Sequence, residues 1–588
     1  MRSYFAYIRS TLRLTMRDRL VIFFNYLFPL LIFGGLGEGT GAKVSTGAAA
    51  QLFSMVLVLG VLGNGFFGGG MRAVMERESN ILRRFKVAPI SPGPIVTASI
   101  LVGWVLFMPS VLFFWALSKG RYHLAGPESP WSLLVFVSIA AIAFRAMGMI
   151  LASVVNSMQE SQILIQLLYL PMLMLSGATV PLDIMPEWLQ AVTMFIPSTH
   201  LYLGVQGILM RGETLAQVWE PALALLVATV ISVFLCMKLF RWEKEERVKG
   251  RDKLWVAVAL LPFLMAGGWQ AYSRTNIART KMLAREKARS MSWLIQDARL
   301  FVGDGTVIEN GSLLIRGGRI ERIFPGKAPD ADELRAEAVE ASGKTVLPGL
   351  IDGFTLLGFA GGPGQPASGA NIERELKAYL YSGIVGVRDG TASMPVVKAE
   401  SLRVAGGEIP GPEVFPAPPG ARPPLLAFRE MMMQLGEGRP DFLSRSLYQQ
   451  VQPPGAMERL RERARSGPVA RAPEDGKGPA GGALLPGSGG GLNEFAVHGP
   501  LLHRELQLWT ASGGSPMKVL QMATSGAAEA VGAAGRLGQL RPGFEASLLI
   551  VEGNPLEEIA ATERIWRVML KGEMVSRAAL FDADRKKK

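Results

Sequence analysis

Apolar residues follow two rhythms along this chain. Up to about residue 270 they come in long unbroken runs. A membrane-crossing helix needs about 20 mostly apolar residues. Six runs meet that expectation: 20–36, 51–70, 95–117, 131–155, 163–180 and 221–239. A seventh candidate, 254–270, is shorter and contains Pro262. Ahead of the first run, residues 1–19 ("MRSYFAYIRSTLRLTMRDR") alternate apolar and basic positions. That pattern predicts an amphipathic helix lying on the membrane surface. From Trp293 the rhythm changes. "WLIQDARLFVGDGTVIENGSLLIRGGRIERIFPG" sets short β-type runs between glycine turns, as hairpins do. The expected fold class is an α-helical membrane bundle followed by an α/β domain at 293–588, joined by a basic linker, 271–292.

Charge orients the bundle. The loop after the second run carries Arg72, Arg77, Arg83, Arg84 and Lys86, and "RWEKEERVKGRDK" after the sixth is also basic. Both fall on the inner side if the N-terminus is cytoplasmic. If the seventh run crosses, the C-terminal domain lies outside, periplasmic or extracellular, although the basic stretch 274–289 argues the other way. The net charge is +13, but basic residues are spread along the chain and flank apolar runs, so nucleic acid is not the expected partner. One cysteine, Cys236, excludes an internal disulfide framework and a cysteine-built zinc site.

Two segments carry a family resemblance: "MERESNILRRFKVAPIS" in the first inner loop, and "LSGATVPLDIMPEWLQAVTMFIPSTHLYLGVQGILMRG" after the fifth run. With the order of spans, they make residues 1–245, with a permease core at 20–245, resemble the permease of type-2 ATP-binding-cassette exporters. The resemblance implies a Glu-Arg-Glu motif on a short cytoplasmic helix, here Glu76, Arg77 and Glu78, followed by Arg83 and Arg84. Together these are expected to couple the spans to an ATPase. Asn80 stands where such permeases often have glycine. It also implies a separate ATP-binding subunit, a second permease in a homodimer or heterodimer, and an inner, cytoplasmic-membrane location among lipid. The chain shows no ATPase site of its own. "ASGKT" offers Gly343-Lys344-Thr345, but Ala338 stands where a phosphate loop needs its first glycine. Cofactors are therefore expected to be none on this chain, with ATP used by the partner. Arg145, inside the fourth run, is costly at that depth. It is a candidate for the translocation path or a dimer interface.

"ASGKTVLPGLIDGFTLLG", "YSGIVGVRDGT", "LLHRELQLWTASGGSPMKVLQMAT" and "GRLGQLRPGFEASLLIVEGNPL" resemble, in that order, the imidazolonepropionase-like branch of the amidohydrolases. The resemblance implies a β-sandwich around a metal-bearing TIM-type barrel. It also implies a His-x-His pair just after "GLID", where this chain has Phe354 and Leu356. Neither side chain can bind a metal. Of four histidines, only His498 and His503 lie in this half. The stretch between Asp352 and Ala530 is shorter than the roughly 250 residues of a typical barrel. Much of 410–491 is Pro/Gly-rich and reads as a disordered insert. The expectation is an incomplete barrel with no metal and no catalytic residue. Function follows as an exporter permease for an amphipathic, lipid- or drug-like substrate with an inactive, or merely vestigial, hydrolase-like appendage. The alternative is a membrane-tethered metal-dependent amidohydrolase.

Overall fold

The computed structural model of the chain describes residues 2–17, 19–37, 39, 41–82, 91–124, 126–243, 246, 255–273, 275–359, 368–418, 425–452, 456–465 and 485–581. It divides into two compact units, Met1–Lys287 and Ala288–Lys588.

The first unit is helical: α1 (Arg2–Thr15), α2 (Asn25–Gly37), α3 (Thr46–Glu78), α4 (Pro92–Tyr122), α5 (Pro130–Val154), α6 (Met158–Met174), α7 (Pro197–Arg211), α8 (Trp219–Lys238), α9 (Leu261–Ser273) and α10 (Thr275–Arg289). Four of these, α3, α4, α5 and α8, are long and apolar enough to cross a membrane. Of the six runs expected to span, these four are borne out by length and composition among the described residues. The first run stays helical through a π-helical turn at Phe23–Leu27. The fifth gives only the 17 residues of α6, which contains Pro171 and gives way after Met174 to a turn-rich stretch with Gly177 at φ +90°. Helices α3 and α5 approach backbone to backbone: a Cβ on Gly70 would lie 2.7 Å from the Gly148 carbonyl. Only glycine permits that distance. Along the same contact α3 widens into a π-helical stretch, Gly63–Met71.

The expected basic linker is largely the helix α10. Its Arg279 pairs with Glu213 at 2.7 Å, so part of its charge is neutralised within the unit. Helix α9 runs antiparallel to α8. Ala259, just before α9, shares a core cluster with Cys236 near one end of α8, and Gln270 donates to Glu220 at the other.

Among its described residues the second unit has eleven strands: β1 (Trp293–Phe301), β2 (Val307–Arg316), β3 (Arg319–Pro325), β4 (Glu337–Glu340), β5 (Lys344–Pro348), β6 (Leu350–Thr355), β7 (Ile384–Asp389), β8 (Glu413–Pro416), β9 (Leu548–Glu552), β10 (Ile565–Leu570) and β11 (Glu573–Val575). One eight-stranded sheet has the order β11-β10-β9-β5-β1-β2-β3, with β4 against β1. The other is parallel, β6-β7-β8, with α11 (Gly369–Tyr381) and α12 (Pro395–Ala405) as crossovers. Gly490 bridges Thr355 in parallel on the other side of β6.

The span read as a disordered insert holds ordered structure among its described residues. Strand β8, α13 (Leu426–Gly436), α14 (Ser446–Val451) and a helix at Ala456–Arg465 lie within it. Phe428, Met431, Leu435, Phe442 and Tyr448 form a core with Phe495 and Leu501. Apolar residues at helical spacing outweigh the Pro/Gly-rich flanks that bracket them.

Candidate functional sites

The Glu-Arg-Glu motif lies at the C-terminal end of α3. Glu76 pairs with Arg72 one turn earlier, at 2.9 Å. Arg77 is buried, and its Nη1 and Nη2 donate to the carbonyls of Ala152 and Val155, both at 2.7 Å. Those carbonyls belong to the last turn of α5, which has no intrahelical partner for them. A cation there also matches the helix dipole. Glu78 Oε1 accepts the Met158 amide at 2.6 Å, at the first turn of α6. Ser157 caps that helix by accepting the Glu160 amide, and Glu160 accepts the Asn156 amide at 2.7 Å. Two of the three motif residues thus hold the α5–α6 turn. Asn80 closes α3 in the left-handed conformation, φ +58°, which glycine and asparagine adopt most readily. Among the described residues of this loop, Met75 and Ile81, not singled out by the sequence reading, are the exposed large apolar side chains. Arg83 and Arg84 lie outside the described residues.

Arg145 is buried inside α5. Its Nη1 donates to the Asn64 carbonyl at 2.9 Å and to Asn64 Oδ1 at 2.8 Å, and its Nε to the Ser99 carbonyl at 3.2 Å. Gly68, Gly69 and Gly103 make room for it: a Cβ on Gly103 would lie 2.6 Å from the Arg145 guanidinium carbon. The charge is therefore taken up by carbonyl oxygens of the widened stretch of α3 and of α4.

In the second unit the positions in question lie at the C-terminal end of the parallel sheet. Phe354 and Leu356 are half-buried there. Asp352 is buried; its Oδ1 accepts the Phe354 amide at 3.0 Å and the Ser488 amide at 2.9 Å. Burial pushes its carboxyl up to about 6. Asp389 accepts the Leu357 amide at 2.9 Å and the Thr391 hydroxyl at 2.8 Å, and burial raises it as well. Glu375 accepts the Gly358 amide at 2.6 Å. His498 Nε2 lies 3.1 Å from the Leu356 carbonyl, which can only accept, so that nitrogen carries the proton. The Tyr379 hydroxyl donates to Thr355 Oγ1 at 2.6 Å. His503 is buried on α15 (Pro500–Ala511), with Nε2 donating to the Ser382 carbonyl at 2.8 Å. Burial lowers its pKa.

A metal here would need several unprotonated donors converging on one point. Asp352, Asp389, Glu375 and His498 each hold backbone of residues 354–358 or 488, and of the Asp352 carboxyl oxygens only the buried Oδ2 has no hydrogen-bond partner among the described residues. Among the described residues no three His, Cys, Asp or Glu side chains cluster as a metal site. The donors at this end of the sheet, among the described residues, do not make up the converging ligand set that the metal of an amidohydrolase fold needs.

Comparison with known proteins agrees with this division. Residues 22–238 match the ABC-2 family transporter protein model, and residues 490–575 match the Amidohydrolase family model. The chain is 29% identical to the inner membrane transport permease YhhJ of Escherichia coli (strain K12) over 176 residues, which is 30% of this chain and 46% of that protein. It is 29% identical to Nodulation protein J of Rhizobium leguminosarum bv. trifolii over 228 residues, 36% of this chain and 82% of that protein. It is 22% identical to the linearmycin resistance permease protein LnrN of Bacillus subtilis (strain 168) over 215 residues, 35% of this chain and 51% of that protein. The match thus spans about half the length of YhhJ and of LnrN. Among solved structures, molinate hydrolase aligns with a TM-score of 0.35 and 16% identity, covering 49% of this chain and 95% of that one. A Xaa-Pro dipeptidase does so with a TM-score of 0.35 and 16% identity, covering 48% and 99%. A likeness at that level identifies no activity. The family-model matches and the permease relatives lead to one conclusion: the chain joins an ABC-2 permease domain at its N-terminal end to an amidohydrolase-like domain at its C-terminal end.

Proposed function

We propose that the chain is the permease subunit of an ATP-binding-cassette exporter in the cytoplasmic membrane, acting with a separate ATP-binding subunit and a second permease. The observation that carries this reading is the ABC-2 match over 22–238, with a Glu-Arg-Glu motif fastened to the ends of two neighbouring helices. The apolar spans favour an amphipathic, lipid- or drug-like cargo, and the relative LnrN, a linearmycin resistance permease, supports the drug-like class. Antiparallel packing of α9 along α8 supports a seventh crossing, and hence an outer location for the C-terminal domain. Commitment of Asp352, Asp389, Glu375 and His498 to backbone groups supports a catalytically silent domain that binds or shields substrate.

Glu76→Lys tests the docking face. It reverses a charge that caps no neighbouring helix, whereas Glu78→Lys would also strip the amide of Met158 of its acceptor. The expected result is weaker capture of the ATP-binding subunit with normal insertion. Normal capture together with normal export contradicts the reading.

A further inference from the structure

We propose that Arg241, just beyond α8, is a positioning residue for transport coupling: with Arg77 it fastens the first inner loop and the sixth run to the α5–α6 turn. This rests on the permease reading above. Arg241 Nη1 donates to Asn156 Oδ1 at 3.0 Å and to the Glu246 carbonyl at 2.6 Å, and its Nη2 donates to the carbonyl of Val155. Arg77 Nη2 reaches the same Val155 oxygen. A carbonyl oxygen has two lone pairs and can accept both donors. Three distant stretches of chain, the end of α3, the α5–α6 turn and the segment after α8, therefore meet on one atom.

Asn156 extends the junction. Its amide donates to Glu160 in the first turn of α6, while its side-chain oxygen accepts from Arg241. Two guanidiniums hold the carbonyl end of α5, and two carboxylates, Glu78 and Glu160, hold amides at the start of α6. Each sign suits the helix end it meets. A partner pressing on the exposed Met75 and Ile81 would displace α3 alone if its end were loose. Tied through Val155 and Asn156, the displacement reaches α5, α6 and the end of α8 together. Arg241 contributes no side chain to the docking loop, so its loss separates docking from transmission.

The test uses the full-length chain in lipid nanodiscs with its ATP-binding subunit, comparing wild type, Arg241→Gln, Arg241→Lys and Asn156→Ala. The last removes one acceptor only, and serves should Arg241→Gln insert poorly. Losing charge-assisted hydrogen bonds should raise amide exchange over residues 156–160 about ten-fold. Capture of the ATP-binding subunit should be unchanged, while export per ATP hydrolysed falls by a similar factor, about ten-fold. Arg241→Lys, with no planar fork, should fall between. Unchanged exchange, or unchanged export per ATP, overturns the proposal, as does a loss of export matched by loss of the captured subunit. A wild-type chain that captures no ATP-binding subunit removes the exporter reading itself and the coupling role with it. The exchange measurement then still reports whether the fastening exists.

Discussion

The two units bury charge of opposite sign. In the permease unit the buried charges include Arg77, Arg145 and Arg241, and their donors go to backbone carbonyls. In the hydrolase-like unit they include Asp352, Asp389, Glu375 and Glu505, which accept from backbone amides. A guanidinium stays charged across the physiological range, so the contacts that Arg77, Arg145 and Arg241 make to carbonyls are indifferent to pH. Buried carboxyls are not. Glu505 accepts the Ala427 amide at 2.6 Å and the Trp509 indole N–H at 2.8 Å, yet burial pushes it up to about 7. In the first unit buried guanidiniums, which do not titrate, meet backbone carbonyls; in the second, buried carboxyls, which do, meet backbone amides.

The largest disruption expected is Arg145→Met. It leaves carbonyls of α3 and α4 without their donor and a cradle of three glycines half-filled. The cost should be about 3–5 kcal/mol, read as loss of monodisperse full-length protein and a lower unfolding midpoint. Arg145→Lys should rescue little, because one ammonium cannot reach Asn64 and Ser99 in the guanidinium's planar geometry.

Gly148→Ala comes next. A methyl group there meets the backbone of Gly65 and Phe66 in α3, and forcing the helices apart should cost about 1–3 kcal/mol. Thermal unfolding in detergent reads it, with Gly120→Ala, which has open space around it, as the control.

The pH contrast follows. The folded-state value of Glu505 lies above its ordinary 4.5, so the folded chain holds more protons between about 4.5 and about 7. Its contribution is therefore fully present below pH 4.5, declines as pH rises through 7, and is level above that. Asp352 acts the same way from 3.8 to about 6. The Glu505→Gln variant should lose on the order of 3 kcal/mol of that pH dependence, measured as unfolding midpoints of the second unit from pH 4.5 to 8. An unchanged slope would mean the residue titrates normally.

The smallest expected effect is none at all. Phe354→His combined with Leu356→His should not yield stoichiometric zinc, iron or manganese, because the neighbouring carboxylates and His498 already hold backbone groups. Metal analysis of the purified variant checks this, and one bound ion per chain would show that the site can be reassembled.

How much was legible in the sequence depends on the range of the interaction. Long apolar runs and Glu76-Arg77-Glu78 are local patterns and could be read directly. The π-helical turn at Phe23–Leu27 was hidden, since that stretch is as apolar as its neighbours. Helices α13 and α14 were masked by the Pro/Gly-rich flanks around them. The partners of Arg77, 75 and 78 residues away, and of Arg241, 85 and 86 away, leave no trace in composition or spacing. The same holds for Ser488, whose segment read as linker yet supplies an amide to Asp352. That Phe354 and Leu356 stand where the resemblance implies a His-x-His pair was plain from the sequence. That the remaining polar residues serve the backbone was visible only in three dimensions.

The central claim is that this chain moves substrate under ATP hydrolysis by another subunit while its C-terminal domain stays catalytically silent. The most direct measurement reconstitutes the full-length chain with its ATP-binding subunit in proteoliposomes and follows movement of an amphipathic, lipid-like probe. The account predicts transport that requires ATP, stops when the partner's ATPase is blocked, and is indifferent to metal chelators. ATP-independent behaviour with chelator-sensitive hydrolysis of an amide or ester would contradict it and establish a membrane-tethered hydrolase instead.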